Sequence, residues 1–273
     1  MSETVNWQSS FVTTAAGVKL HIQRSGGAKP PVVLCHGFSD DGNCWPLVAR
    51  ELTKTHDVIL ADARGHGLSD APRKGYGPEE MAGDMAEIIT QLNLDKPAVL
   101  GHSMGAITAM ALAGLYPELP GRVLLEDPPP SWMPEEISTA DSLPLDEFPP
   151  MFDWIIRTKR HTAEELVAAE RANQPGWSAE EFVPWAESKL RLSFNIVSRF
   201  GLRLDWPAIL VNVKCPVLLI TSDPERGGMV NATHARAFQS IVPHARVVHI
   251  TGAGHSIRRD QSAAYIAAVV AFL

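Results

Sequence analysis

The sequence predicts an α/β fold, a mostly parallel central sheet flanked by helices, and three observations carry that prediction. Short apolar runs without polar alternation recur along the chain, at residues 31–35, 58–61, 98–100, 122–125, 217–220 and 246–250; such runs suit strands covered on both faces. Segments of helical periodicity lie between them, clearest at residues 78–92, where Met81, Met85, Ile88, Ile89 and Leu92 recur at helical spacing. A chain of 273 residues, 45% hydrophobic and 20% charged, is also long enough to bury the core of one large domain of this class.

Taken in order, residues 11–14 and 18–22 flank Ala15-Ala16-Gly17, the pattern of a hairpin. The run at 31–35 is followed by a helix-like stretch at 46–52, and the run at 58–61 by the helix at 78–92. Strand and helix then alternate almost throughout, which implies parallel strands with helices on both sides. The last segment, 262–273, is too short to span a bilayer and reads as a packed amphipathic helix.

Residues 128–207 break the alternation. They are rich in proline and tryptophan (Trp132, Trp154, Trp177, Trp185, Trp206), and stretches at 152–158 and 163–172 look helical. The expected organisation is an α/β core of residues 1–127 and 208–273, with residues 128–207 inserted as a mainly helical cap whose aromatic side chains roof an apolar pocket. The competing reading is that these tryptophans fill the insertion's own small core.

The formal charge of -7 leaves no basic face for a nucleic acid, so a small molecule is the expected partner. No secretory signal opens the sequence and no apolar run is long enough for a membrane span, which points to a cytoplasmic protein, monomer or homodimer. Cys35, Cys44 and Cys215 have no metal or redox spacing and read as free, buried thiols. Nucleotide-binding glycine motifs and a His-Glu-x-x-His pair are lacking, and Asp40-Asp41-Gly42 is without the other ligands of a calcium loop; neither metal nor organic cofactor is expected. Asn231-Ala232-Thr233 fits a glycosylation triplet, which without a secretory signal is expected to be chance.

Chemistry concentrates at Gly101-His102-Ser103-Met104-Gly105, where an apolar run meets a helix-forming stretch. A turn that tight forces its central residue into an unfavourable backbone conformation, and the flanking glycines remove side chains that would clash. The serine hydroxyl is thereby exposed, with the helix N-terminus aimed at the same spot, where it favours an oxyanion. This is Gly-x-Ser-x-Gly, the nucleophile elbow.

With His36-Gly37-Phe38 after the first parallel run, Asp62-Ala63-Arg64-Gly65-His66-Gly67 and Gly252-Ala253-Gly254-His255 in the expected order, the chain resembles the α/β-hydrolase fold superfamily over essentially its full length. The resemblance implies a Ser103 nucleophile, His255 as its base, and an oxyanion hole formed by the Phe38 and Met104 N–H groups. His36 and His102 are expected to serve structural roles, and His66 to stabilise a loop. For the acid, many relatives use a residue after the run at 217–220, where Asp223 and Glu225 lie. A branch resembling haloalkane dehalogenases and some lactonases instead takes a Glu from the end of the preceding strand, which is Glu126 here. A carboxylate ending a buried strand is costly without a partner, so Glu126 is the favoured acid, Asp223 the alternative and Glu225 third; Glu126→Ala should then lower turnover by orders of magnitude. Asp127 and Asp223 each precede proline, where a carboxylate often organises a turn.

Relatives that are dehalogenases and epoxide hydrolases carry Asp at the elbow, so a serine there implies acyl transfer to water. The leading expectation is a hydrolase cleaving an ester or lactone of a small to medium hydrophobic substrate, with an amide also open. Carbon–carbon bond hydrolysis and cofactor-free perhydrolysis would use the same residues, and some members of the fold are small-molecule receptors.

Overall fold

The apolar runs become strands because their alternate side chains enter two different cores. In β3 (Pro31–Cys35) Val33 faces one core and Leu34 the other, and Val99 and Leu100 of β5 (Ala98–His102) divide the same way. Sheets buried on both faces need no polar positions, which is why β4 (Asp57–Ala61), β5 and β7 (Val217–Thr221) are buried along their whole length. The structure, a computed structural model, describes residues 5–133, 149–197 and 201–273.

Together with β1 (Gln8–Thr13), β2 (Lys19–Arg24), β6 (Arg122–Glu126) and β8 (Arg246–His249), these form an eight-stranded sheet in the order β1-β2-β4-β3-β5-β6-β7-β8. The expected hairpin, β1 with β2, is antiparallel, as is β2 with β4; every pairing from β4 to β8 is parallel. One face is covered by α2 (Pro78–Gln91) and α3 (Met104–Leu115) through Ile88, Ile89, Ile107 and Met110. The other is covered by α1 (Pro46–Leu52) and by Tyr265 and Val269 in the C-terminal helix Ser262–Phe272. Each such burial contributes roughly 1.5–3 kcal/mol.

Between β6 and β7 the described chain is helical: α4 (Pro149–Thr158), α5 (Ala163–Asn173), α6 (Ala179–Arg191), α7 (Phe194–Val197) and α8 (Trp206–Leu210). Side-chain caps start three of them, with Thr162 accepting from Glu165 N, Ser178 from Glu180 N and Asp205 from Ala208 N. Helices α5 and α6 pack on each other, and α6 also packs on α1. The five tryptophans of residues 128–207 divide between the core beneath the sheet and a cleft, and none of the five is buried in a separate core of the inserted helices. Trp132 and Trp206 are buried in the α2/α3-side core, whereas Trp154, Trp177 and Trp185 line a cleft.

Asn231 of the Asn-Ala-Thr triplet is the N-cap of α9 (Ala232–Ile241), its side chain accepting from Thr233 N and His234 N. The three cysteines are free and buried, and burial pushes the Cys35 and Cys44 thiols up to about 12. Among the described residues no helix is long and apolar enough to cross a membrane.

Candidate active site

Ser103 stands between β5 and α3 with φ 52° and ψ −114°, a conformation that costs a non-glycine residue of order 1–3 kcal/mol. The glycines around it are required by close approach. A Cβ on Gly101 would lie 2.1 Å from the Gly105 carbonyl oxygen, and one on Gly105 would lie 2.0 Å from that of Cys35. A Cβ on Gly37 would fall 2.5 Å from His102 Nδ1, so the loop after β3 runs directly across the elbow. Met104 opens α3, and its N–H is among the helix-start donors that lack an intrahelical acceptor.

Histidines fix this loop. His36 Nδ1 donates to Gly37 O at 2.8 Å while its Nε2 accepts from Ala63 N at 3.0 Å. The His66 ring packs edge-on against His36 and Phe38, its Nδ1 donates to Arg64 O, and burial pulls it down to about 3. His102 Nε2 donates to the His255 carbonyl at 2.9 Å. Burial first, then the nearby Arg258 charge, holds His102 well below the ordinary histidine range. All three keep loops in place, as expected of them.

His255 follows β8, and its Nδ1 donates to Asp127 Oδ2 at 2.7 Å. Asp127 is fully buried with φ 42°, and its carboxylate also accepts from the backbone N–H groups of Met229 and Val230 at 2.9–3.1 Å. The favoured acid, Glu126, is not bonded to His255, and strand alternation explains why. Leu124 faces the α1-side core and Leu125 the α2/α3-side core, so Glu126 continues the Leu124 face. There it accepts from Arg258 N at 3.0 Å and faces the Arg258 guanidinium at 3.4 Å. Burial raises its carboxyl above the usual range, against the pull of Arg258.

Asp223, the alternative, accepts from His249 Nε2 at 3.0 Å and Gly252 N at 2.7 Å, tying the loops after β7 and β8 together. Glu225 is exposed in the 3-10 turn Pro224–Arg226. Of these neighbouring carboxylates it is Asp127, a residue whose position before proline suggests only a turn, that is bonded to His255.

Ser103, His255 and Phe38 share a cleft of about 320 Å³. Trp154, Trp177 and Trp185 supply aromatic walls, but Asp40, Lys189 and Arg259 line it as well, with Glu170. The expected hydrophobic pocket is therefore aromatic and charged at once. The charged part escaped the sequence reading because Asp40, Lys189 and Arg259 pair across more than a hundred residues of chain.

Comparison with known proteins agrees with this architecture. Over 97% of its length the chain is 29% identical to N-formylmaleamate deformylase of Pseudomonas putida, 98% of which is covered. The crystal structure of E-2-(acetamidomethylene)succinate hydrolase superposes with a TM-score of 0.80 at 24% identity, covering 98% of this chain and 99% of that one. The enol-lactonase of Burkholderia xenovorans follows at 0.72 and 21%, covering 96% and 99%; at these identities both structures speak for the fold alone. The alpha/beta hydrolase fold family model matches residues 30–257, and the chain belongs to that family.

Proposed function

We propose that this hydrolase cleaves acyl bonds through a covalent acyl-enzyme, with Ser103 as nucleophile, His255 as general base and Asp127 as the acid of the triad. The observation that carries the reading is the 2.7 Å bond from His255 Nδ1 to Asp127, made in the cleft that holds the strained elbow serine. With Nδ1 protonated and held by Asp127, the free Nε2 is the basic one, the tautomer needed to accept the serine proton.

The Ser103 oxygen attacks the substrate carbonyl as its proton passes to His255. Asp127 stabilises the resulting imidazolium, and the Phe38 and Met104 N–H groups receive the oxyanion. His255 then gives the proton to the leaving group, and water, deprotonated by the same ring, releases the acid.

Esters and lactones come first as substrates because their leaving groups need the least help. Carbon–nitrogen acyl bonds form a second reading, favoured by the relative that matches nearly the whole chain and is named a deformylase. The test is fluorophosphonate labelling followed by a panel of esters, lactones and activated amides, on wild type, Ser103→Ala and Asp127→Asn. Labelling confined to Ser103 together with steady turnover is expected. A folded wild type that neither labels nor turns over any member would overturn the reading in favour of a small-molecule receptor.

A further inference from the structure

Beneath the cleft, one carboxylate holds three cations. Asp40 Oδ1 accepts from Lys189 Nζ at 2.6 Å, and its Oδ2 accepts from Arg258 Nη2 at 2.7 Å and Arg259 Nη2 at 3.0 Å. Against the upward push of burial, the charges of Arg259, Lys189 and Arg258 keep the Asp40 carboxyl well below the usual range. The cluster is closed by Glu126 on Arg258 and by Glu181, which accepts from Arg259 Nε at 3.2 Å. Burial raises both of these carboxyls, against the pull of their arginines.

Counting donors separates the three cations. Lys189 Nζ uses all of its capacity on Asp40, Ser39 O and Ser188 Oγ. Arg258 engages every nitrogen, on Cys44 O, Glu126 and Asp40, and does not line the cleft. Arg259 commits Nε to Glu181 and Nη2 to Asp40, while its Nη1 has no hydrogen-bond partner among the described residues. Yet Arg259 is only 4% exposed and lines the cleft with Ser103 and His255. Its planar face lies 4.9 Å from the Trp177 ring, which leaves the in-plane edge for Nη1 to donate.

A guanidinium edge left open to a cleft is a donor in waiting, and the acceptor that suits it best is an anionic oxygen held in the guanidinium plane. Other titratable groups facing the cleft are Asp40 and Glu170, which disfavour an anion nearby, Lys189, whose donors are all engaged, His102, and His255, bound to Asp127. We propose that Arg259 is a carboxylate-binding residue of this cleft, so that the substrates carry a free carboxylate on the same small molecule as the acyl group presented to Ser103. This rests on the acyl-hydrolase reading of the site. The aromatic walls would flank the body of such a molecule while its charged end lies on Arg259.

The test is binding to Ser103→Ala, where turnover cannot interfere. Mono(4-nitrophenyl) succinate and its methyl ester differ only in the charge at the far end. The acid is expected to bind at least about tenfold more tightly, with the preference weakening as salt is raised. Adding Arg259→Gln should bring the two affinities to within about threefold, and Arg259→Lys should recover part of the preference. Equal or weaker binding of the acid, or a preference that survives Arg259→Gln, would overturn the proposal. Because the acid-against-ester comparison leaves Arg259 intact, it can overturn the proposal even if Arg259→Gln fails to fold, and Arg259→Lys then tests the residue itself. Turnover of either compound by wild type reports separately on the acyl-hydrolase reading: hydrolysis without acid preference refutes the carboxylate site alone, whereas acid-selective binding without hydrolysis or serine labelling refutes the enzyme reading alone.

Discussion

Replacing Asp127 by Asn tests the triad at one atom. The variant keeps the shape of a side chain that is fully buried but loses its charge and one acceptor. Backbone N–H groups of Met229 and Val230 point at the carboxylate, so the amide oxygen turns to them and the NH2 group faces His255. The ring then carries its proton on Nε2 and cannot take the one on Ser103. Opposite charges whose centres lie roughly 4 Å apart attract by about 4 kcal/mol at an effective dielectric near 20, and the tautomer change adds about 1–2 kcal/mol. At ~1.36 kcal/mol per decade the sum is a fall of about four orders of magnitude in kcat, the loss typical of such a change in a serine triad. Glu126→Gln is the control. Removing one of the two carboxylates that face the buried Arg258, with Asp40 still bonded to it, should destabilise the fold by about 1–3 kcal/mol yet leave kcat within about tenfold. The assay is steady-state hydrolysis of 4-nitrophenyl acetate, with denaturant unfolding in parallel. An Asp127→Asn enzyme within tenfold of wild type, beside a Glu126→Gln enzyme slowed by orders of magnitude, would return the acid to Glu126 and refute the reasoning.

Other predictions follow from packing and protonation. Gly105→Ala should lower Tm sharply and abolish fluorophosphonate labelling, because the new Cβ would meet the Cys35 carbonyl at 2.0 Å; a labelled, stable variant would show that the elbow has slack. His66 is drawn down to about 3 by burial and the neighbouring His36, and His102 shifts in the same direction. The unfolded chain therefore binds more protons below pH 6.5, and stability is lost as pH falls through that window toward 3. Between pH 7 and 5.5 His66 alone should remove about 1 kcal/mol, and urea unfolding of His66→Gln should show a shallower slope there than wild type. Cys35 and Cys44, raised to about 12, and Cys215, raised to about 11 by burial, should resist Ellman's reagent in the native protein and all react after denaturation; rapid native reaction would contradict their burial.

The sheet was legible because its central strands, β3 to β7, are apolar runs long enough to cross it, and the elbow because only glycine tolerates contacts near 2 Å on both sides of Ser103. The carboxylate bonded to His255 was not. Glu126 and Asp127 are adjacent carboxylates, and which of them meets His255 depends on the face taken by β6 and on the positive φ of Asp127, neither of which composition encodes. The cost of burying Glu126 was correctly read, but the partner that offsets it, Arg258, lies 132 residues away. Nothing local to Lys189 marks it either, because Asp40, which it holds, comes from 149 residues earlier.

The clasp on Asp127 bears on how such sites drift. Met229 and Val230 orient the carboxylate with backbone N–H groups alone, so any residue except proline can supply the same bonds. Selection for the reaction would leave little trace in the side chains at those two positions, and a comparison of sequences would pass over them. Their contribution is recorded instead in the length and course of the loop after β7. Insertions or deletions between Thr221 and Asn231 should therefore be tolerated far less well than substitutions.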